Sequence, residues 1–143
     1  LRGDPGVART TGMSGEHDLS VLLASLRPVL VDDVFVFATV DKMPEGITPR
    51  MMFQEAEGIT LILTLDQAES AGIAHEFPCR MITLNVHSAL EAVGFLAHIV
   101  PKLAAADMGV NPVAGFYHDH LFIPNGREGD AMRVLRAIAV EAV

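Results

Sequence analysis

The chain holds a single cysteine, Cys79, among 143 residues. An internal disulfide is therefore excluded, and so is a zinc site built from four cysteines. Basic residues are scarce as well: 10 Lys and Arg stand against 18 Asp and Glu, a formal charge of −8. A phosphate backbone is gripped by clustered Lys and Arg, and here they are scattered singly, so no nucleic acid is expected as a partner. Long uncharged apolar runs are also missing. Glu91, Pro101, Lys102 and Asp107 interrupt the most hydrophobic stretch before the roughly 18 residues of a spanning helix are reached, and no membrane partner is expected. No segment joins a basic start to an apolar core as a secretory signal does, and a cytoplasmic location fits the single thiol. The glycines form neither a G-x-G-x-x-G run nor a P-loop, and no serine sits in a G-x-S-x-G elbow. Asp32-Asp33 and Glu55-x-Glu57 read as solvated loop charges. The expectation is a non-catalytic protein that needs no cofactor.

What is there is largely apolar. Half of the residues are hydrophobic and the mean hydropathy is +0.37, which excludes disorder over most of the length. The length suits one compact domain, yet so small a domain does not easily hide this much apolar surface, and a homodimer is expected. Residues 1–12 mix Gly, Pro, Arg and Thr without periodicity, and Met13 resembles a natural start; this stretch is read as a cloning remnant or a disordered tail.

Punctuation divides the rest. Asp18 caps a short helix with Leu19, Leu22, Leu23 and Leu26 at helical spacing, ended by Pro28. Val34 to Val40 and Ile59 to Leu65 read as strands, with a long Pro- and Gly-containing loop from Asp41 to Gly58 between them. In that loop Met51-Met52-Phe53 is an apolar cluster expected to pack on the sheet. Asp66 with Glu69 resembles a capping box, and Gly72 supplies a C-terminal stop. Arg80 to His87 alternates like a strand, with Met81, Thr83, Asn85 and His87 on one face. Ser88 and Glu91 form an S-x-x-E box opening a helix from Leu90 to about Ala106, kinked or broken ahead of Pro101. Val110 to Tyr117 is a strand, His118-Asp119 a tight turn, His120 to Pro124 the returning strand, and residues 127 to 141 a final helix.

This order contains a repeat: helix, strand, strand, helix over residues 18–72 and again over 88–141, with one strand between. Ile59 to Leu63 parallels Leu121 to Pro124. Helices on one face of a mainly antiparallel sheet give the ferredoxin-like α+β class, with a first half over residues 13–78 and a second over 79–143 sharing one sheet.

The run Ile82 to Gly94, reading ITLNVHSALEAVG, with Gly109 and the later run Val113 to Pro124, reading VAGFYHDHLFIP, resembles an ACT domain. More narrowly, the chain is similar to small bacterial proteins made of paired ACT units and, more loosely, to paired-ACT arginine sensors. The resemblance implies a regulatory module binding a small effector such as an amino acid at an interface between units. Carried to matching positions, it implies ligand contacts from the loop His87, Ser88, Ala89 and Leu90, and from the strand and turn holding Asn111, Tyr117, His118 and Asp119. The family's usual Asp-x-x-Gly loop pattern is absent, with His87 standing where an acidic residue is common. The residues themselves point to the same loop, because a helix beginning near Ser88 leaves backbone N–H groups and a partial positive charge facing a carboxylate. Ser88 as a plain helix cap is the competing reading. Two further alternatives stay open: a structural association module without ligand, and a metal-sensing domain using His118-x-His120 with His87.

Overall fold

The computed structural model describes residues 18–86 and 93–142. Asp18 accepts a hydrogen bond from the Val21 N–H at 3.3 Å and caps α1 (Leu19–Ala24), as its position before the leucines predicts. Pro28 does not merely stop this helix; it opens β1 (Pro28–Val40), longer than the β-branched core of the segment suggests. The expected loop after it holds a strand. Met51-Met52-Phe53 belongs to β2 (Met51–Gln54), which pairs with β3 (Ile59–Thr64) across a tight turn. Its four residues are too few for alternation to stand out beside Pro49 and Gly58.

Helix α2 (Leu65–Ala71) is capped by Thr64, with Gln67 reaching back to the Thr64 N–H; Asp66 lies in the first turn, so the capping box sits two residues earlier than Asp66 and Glu69 imply. Gly72 ends it in the left-handed conformation at φ 66°, as expected. Next come β4 (Glu76–Leu84), α3 (Phe95–Ala105), β5 (Asn111–Ala114), β6 (Asp119–Pro124) and α4 (Glu128–Glu141). Helix α3 starts at Phe95 after Gly94 rather than at Leu90, and it runs through Pro101 without a break. The proposed Ser88–Glu91 box lies outside the described residues. The last hairpin turns at Gly115–His118, and Asp119 is already the first residue of β6.

All strand pairs are antiparallel, in one six-stranded sheet of order β2-β3-β1-β4-β6-β5. The two halves therefore meet along the central β1–β4 ladder. Leu61 and Leu63 of β3, Val36 of β1 and Ala68 of α2 form one cluster on the helix face. Ile82 and Leu84 of β4 and Leu121 and Ile123 of β6 pack there against Leu22, Ile99, Leu103, Leu135 and Ile138 from α1, α3 and α4. Arg80 ties this layer to α4, through Glu128 at 3.1 Å, and also donates to the carbonyls of Val31 and Asp33. The opposite face has its own buried cluster of Phe35, Ile62, Cys79, Met81 and Phe122, to which no helix contributes among the described residues. Phe122 meets Phe35 and Phe37 edge-on at 5.9 and 5.7 Å, across the boundary between the halves.

The halves are equivalent in detail. β3 and β6 bury the same positions along their six residues. Their hairpins close with the same bond, Glu55 N–H to the Gly58 carbonyl and Gly115 N–H to the His118 carbonyl, both at 2.9 Å. Thr39 of β1 faces Thr60 of β3 as Thr83 of β4 faces His120 of β6.

Candidate functional site

Strand β4 ends at Leu84, beside the first residue of β6, Asp119. There the Asn85 N–H donates to the Arg27 carbonyl at 2.9 Å, and the chain proceeds toward His87, Ser88, Ala89 and Leu90, which lie outside the described residues. The β5–β6 turn stands at this same end of the sheet. It gathers Tyr117, His118 and Asp119, three of the residues singled out from the sequence. Asp119 is buried, on the side of the sheet that carries Leu84 and Ala114. Tyr117 is 57% exposed and stacks edge-on with the equally open Phe116 at 5.0 Å, an apolar flap over the turn. The tightness of this turn depends on Gly115, where a Cβ would stand 2.9 Å from the His118 carbonyl oxygen.

Two imidazoles flank the turn, with ring centroids 6.5 Å apart. His120 Nδ1 lies 3.0 Å from the Thr83 hydroxyl. Burial, then the neighbouring His118 and Arg50, push the His120 pKa below its ordinary value, with Asp119 opposing. His118 Nδ1 is buried and has no hydrogen-bond partner among the described residues. Leaving such a group unsatisfied costs about 1–3 kcal/mol, so this nitrogen favours a hydrogen-bond partner. No third His, Cys, Asp or Glu joins His118 and His120 in a metal-holding group among the described residues.

Asn111 does not belong to this group. It sits at the far end of β5, opposite Phe122, and lines a different cleft. Two residues that act on His120, Thr83 by a hydrogen bond and Arg50 by its charge, were not singled out as ligands. Thr83 could have been, since it shares a face with His87 in the alternating strand. Arg50, whose guanidinium lies 5.1 Å from the centre of the Phe35 ring, gave no signal, because it stands at the head of a strand hidden in an apparent loop.

A duplicated antiparallel sheet with its helices on one face defines a ferredoxin-like α+β protein of two paired units. The chain belongs to the ACT domain family, a family of regulatory modules: models of the ACT domain match residues 14–80 and 76–137. A Vibrio cholerae protein of unknown function, described as a possible transport protein, is 37% identical, covers 85% of this chain and 95% of its own, and superimposes with a TM-score of 0.77. An Agrobacterium tumefaciens protein shares the fold at 12% identity over 80% of this chain and 89% of its own, with a TM-score of 0.68. The regulatory subunit of aspartate kinase from Thermus thermophilus does so at 14% identity over 78% and 95%, with a TM-score of 0.59. No curated protein matches the sequence. Among the described residues no helix is long and apolar enough to cross a membrane.

Proposed function

We propose that this protein is a non-catalytic, cytoplasmic effector-binding regulator, and that its effector is an amino acid taken up at the β5–β6 turn beside the chain following β4. The observation that carries this reading is the buried Nδ1 of His118, which has no hydrogen-bond partner among the described residues. It is flanked in the chain by Tyr117 and Asp119, two positions that the family resemblance assigns to ligand; the others it assigns in the loop, His87, Ser88, Ala89 and Leu90, lie outside the described residues. Arg50, which interacts electrostatically with His120, adds positive charge that suits a carboxylate, and His120 in its neutral form is a hydrogen-bonding group. Such an effector shifts an equilibrium between arrangements of the protein only by its difference in affinity for them. A homodimer is part of the proposal, and the open edge of β2, with Met52 and Phe53 49% and 63% exposed, supports association.

The test is a thermal-shift screen of the common amino acids, with calorimetry of each hit on the parent and on His118→Leu. The variant should bind at least about tenfold more weakly while losing no stability, because it removes an unsatisfied buried group together with the ligand contact. An absence of binding by any amino acid, or equal affinity in the variant, refutes the reading.

A further inference from the structure

The pseudo-twofold that relates the halves maps the turn at Gly115–His118 onto the turn at Glu55–Gly58. The first half has a hollow at that equivalent place. It is a cleft of about 690 Å³, on the face of the sheet away from the helices, and its chemistry is the reverse of the turn described above. Where the second half has Thr83 and His120, the first has Thr39 and Thr60; where His120 feels the charge of Arg50, the first has two carboxylates, Glu55 and Glu76. Glu55 is oriented by the Thr60 hydroxyl.

Phe37 and Phe77 supply an aromatic wall, their centroids 5.8 Å apart and their planes inclined at 59°. Phe77 reaches this wall at a cost. Its φ is 58°, a conformation that a bulky side chain rarely adopts, and it lies where the β1–β4 register slips between Phe35 and Phe37. Without the slip, alternation would set Phe77 differently against β1. Asn111, from the second half, brings a neutral amide to the rim. Aromatic faces attract a cation through their quadrupole, and a carboxylate beside them adds a charge-assisted hydrogen bond. His75 also lines the cleft, with its Nδ1 turned to the Ile73 carbonyl at 2.8 Å, so the two carboxylates are the charged groups that face a ligand.

We propose that this cleft is a second ligand site, for an organic cation that carries a primary amine or guanidinium group on a short apolar body, held between the Phe37–Phe77 wall and the carboxylates of Glu55 and Glu76. The two halves then bind different ligands at equivalent places, and each site can be altered without changing the residues of the other.

The experiment uses the full chain with three probes, 1,4-diaminobutane, butylguanidinium and butyrate, followed by calorimetry and by NMR of the phenylalanine ring protons. Both cations should bind and shift the Phe37 and Phe77 resonances, and butyrate should leave them unmoved. Glu55→Gln with Glu76→Gln should weaken the cations at least about tenfold. Asp32→Asn with Asp33→Asn, which removes as much charge away from the cleft, should leave affinity unchanged. His118→Leu should leave cation binding intact, which separates this site from the one at the β5–β6 turn. No binding up to roughly 10 mM, or equal losses in the two charge-neutralised pairs, overturns the proposal.

Discussion

Removing the Phe122 ring should unfold both halves together. The ring is 2% exposed and reaches from β6 across the central ladder to Phe35 and Phe37 of β1. Phe122→Ala deletes a buried aromatic in a cluster with no helix to collapse onto it, and such changes cost about 3–5 kcal/mol. Phe122→Leu keeps most of the volume but forfeits two edge-to-face pairs, worth about 0.5–1.5 kcal/mol each, so its cost should be about 1–3 kcal/mol. For a chain of this length each kcal/mol lowers the melting temperature by roughly 3–4 °C, giving a fall of roughly 10–20 °C for the alanine variant. Guanidinium chloride unfolding followed by circular dichroism gives the free energy. Amide exchange at Leu61 and Leu63 of β3, in the other half, reports whether the loss spreads. A single transition, with exchange accelerated in both halves, is expected. Two transitions, or faster exchange confined to β4–β6, would refute the claim that the halves share one cooperative core.

Other outcomes follow from single groups. Burial pushes the Cys79 thiol pKa up to about 12, and its Sγ sits 3.3 Å from the Phe35 carbonyl; alkylating reagents should modify it only at the rate of unfolding. His120 titrates below its ordinary value, so the unfolded chain binds the proton first, and stability present above about pH 6.5 should fall as the pH drops toward the folded value. His120→Asn should flatten that part of the stability–pH curve, and an NMR titration of the imidazole should place its midpoint below 6.5. Thr64→Ala removes the α2 cap and should cost about 0.5–2 kcal/mol in chemical unfolding, with Gln67→Ala costing less in the same assay.

Much of the architecture could be read before any coordinates. Leucines at helical spacing after Asp18 and the β-branched run ending at Val40 carry period or propensity over enough residues to stand out. The repeat, read as Ile59–Leu63 in Leu121–Pro124, is offset by two residues, since Ile59 corresponds to Asp119. What escaped were boundaries set by partners. β2 is a strand because β3 is there to pair with it, and four residues carry no period of their own. Thr64 rather than Asp66 caps α2 because the strand before it ends where its last ladder bond with Phe35 ends. The β5–β6 turn moved from His118-Asp119 to Gly115–His118 for a similar reason: Asp119 pairs with Leu84 and is drawn into the sheet. Of the candidate site, Tyr117, His118 and Asp119 were readable as a local cluster. Arg50 comes from more than sixty residues away, and only the strand order β2-β3-β1-β4-β6-β5 brings the two segments onto one sheet.

That strand order bears on any attempt to divide the molecule. Its longest strand, β1, is hydrogen-bonded on one side to its own half and on the other to β4. A chain severed in the linker at 73–75 would yield two fragments, each baring a full-length row of amides and carbonyls beside an uncovered aromatic patch. Expressed alone, each fragment should precipitate or recruit a copy of itself; produced together, the two should recombine into the parent sheet, which makes the linker a natural place to split the protein for a complementation assay.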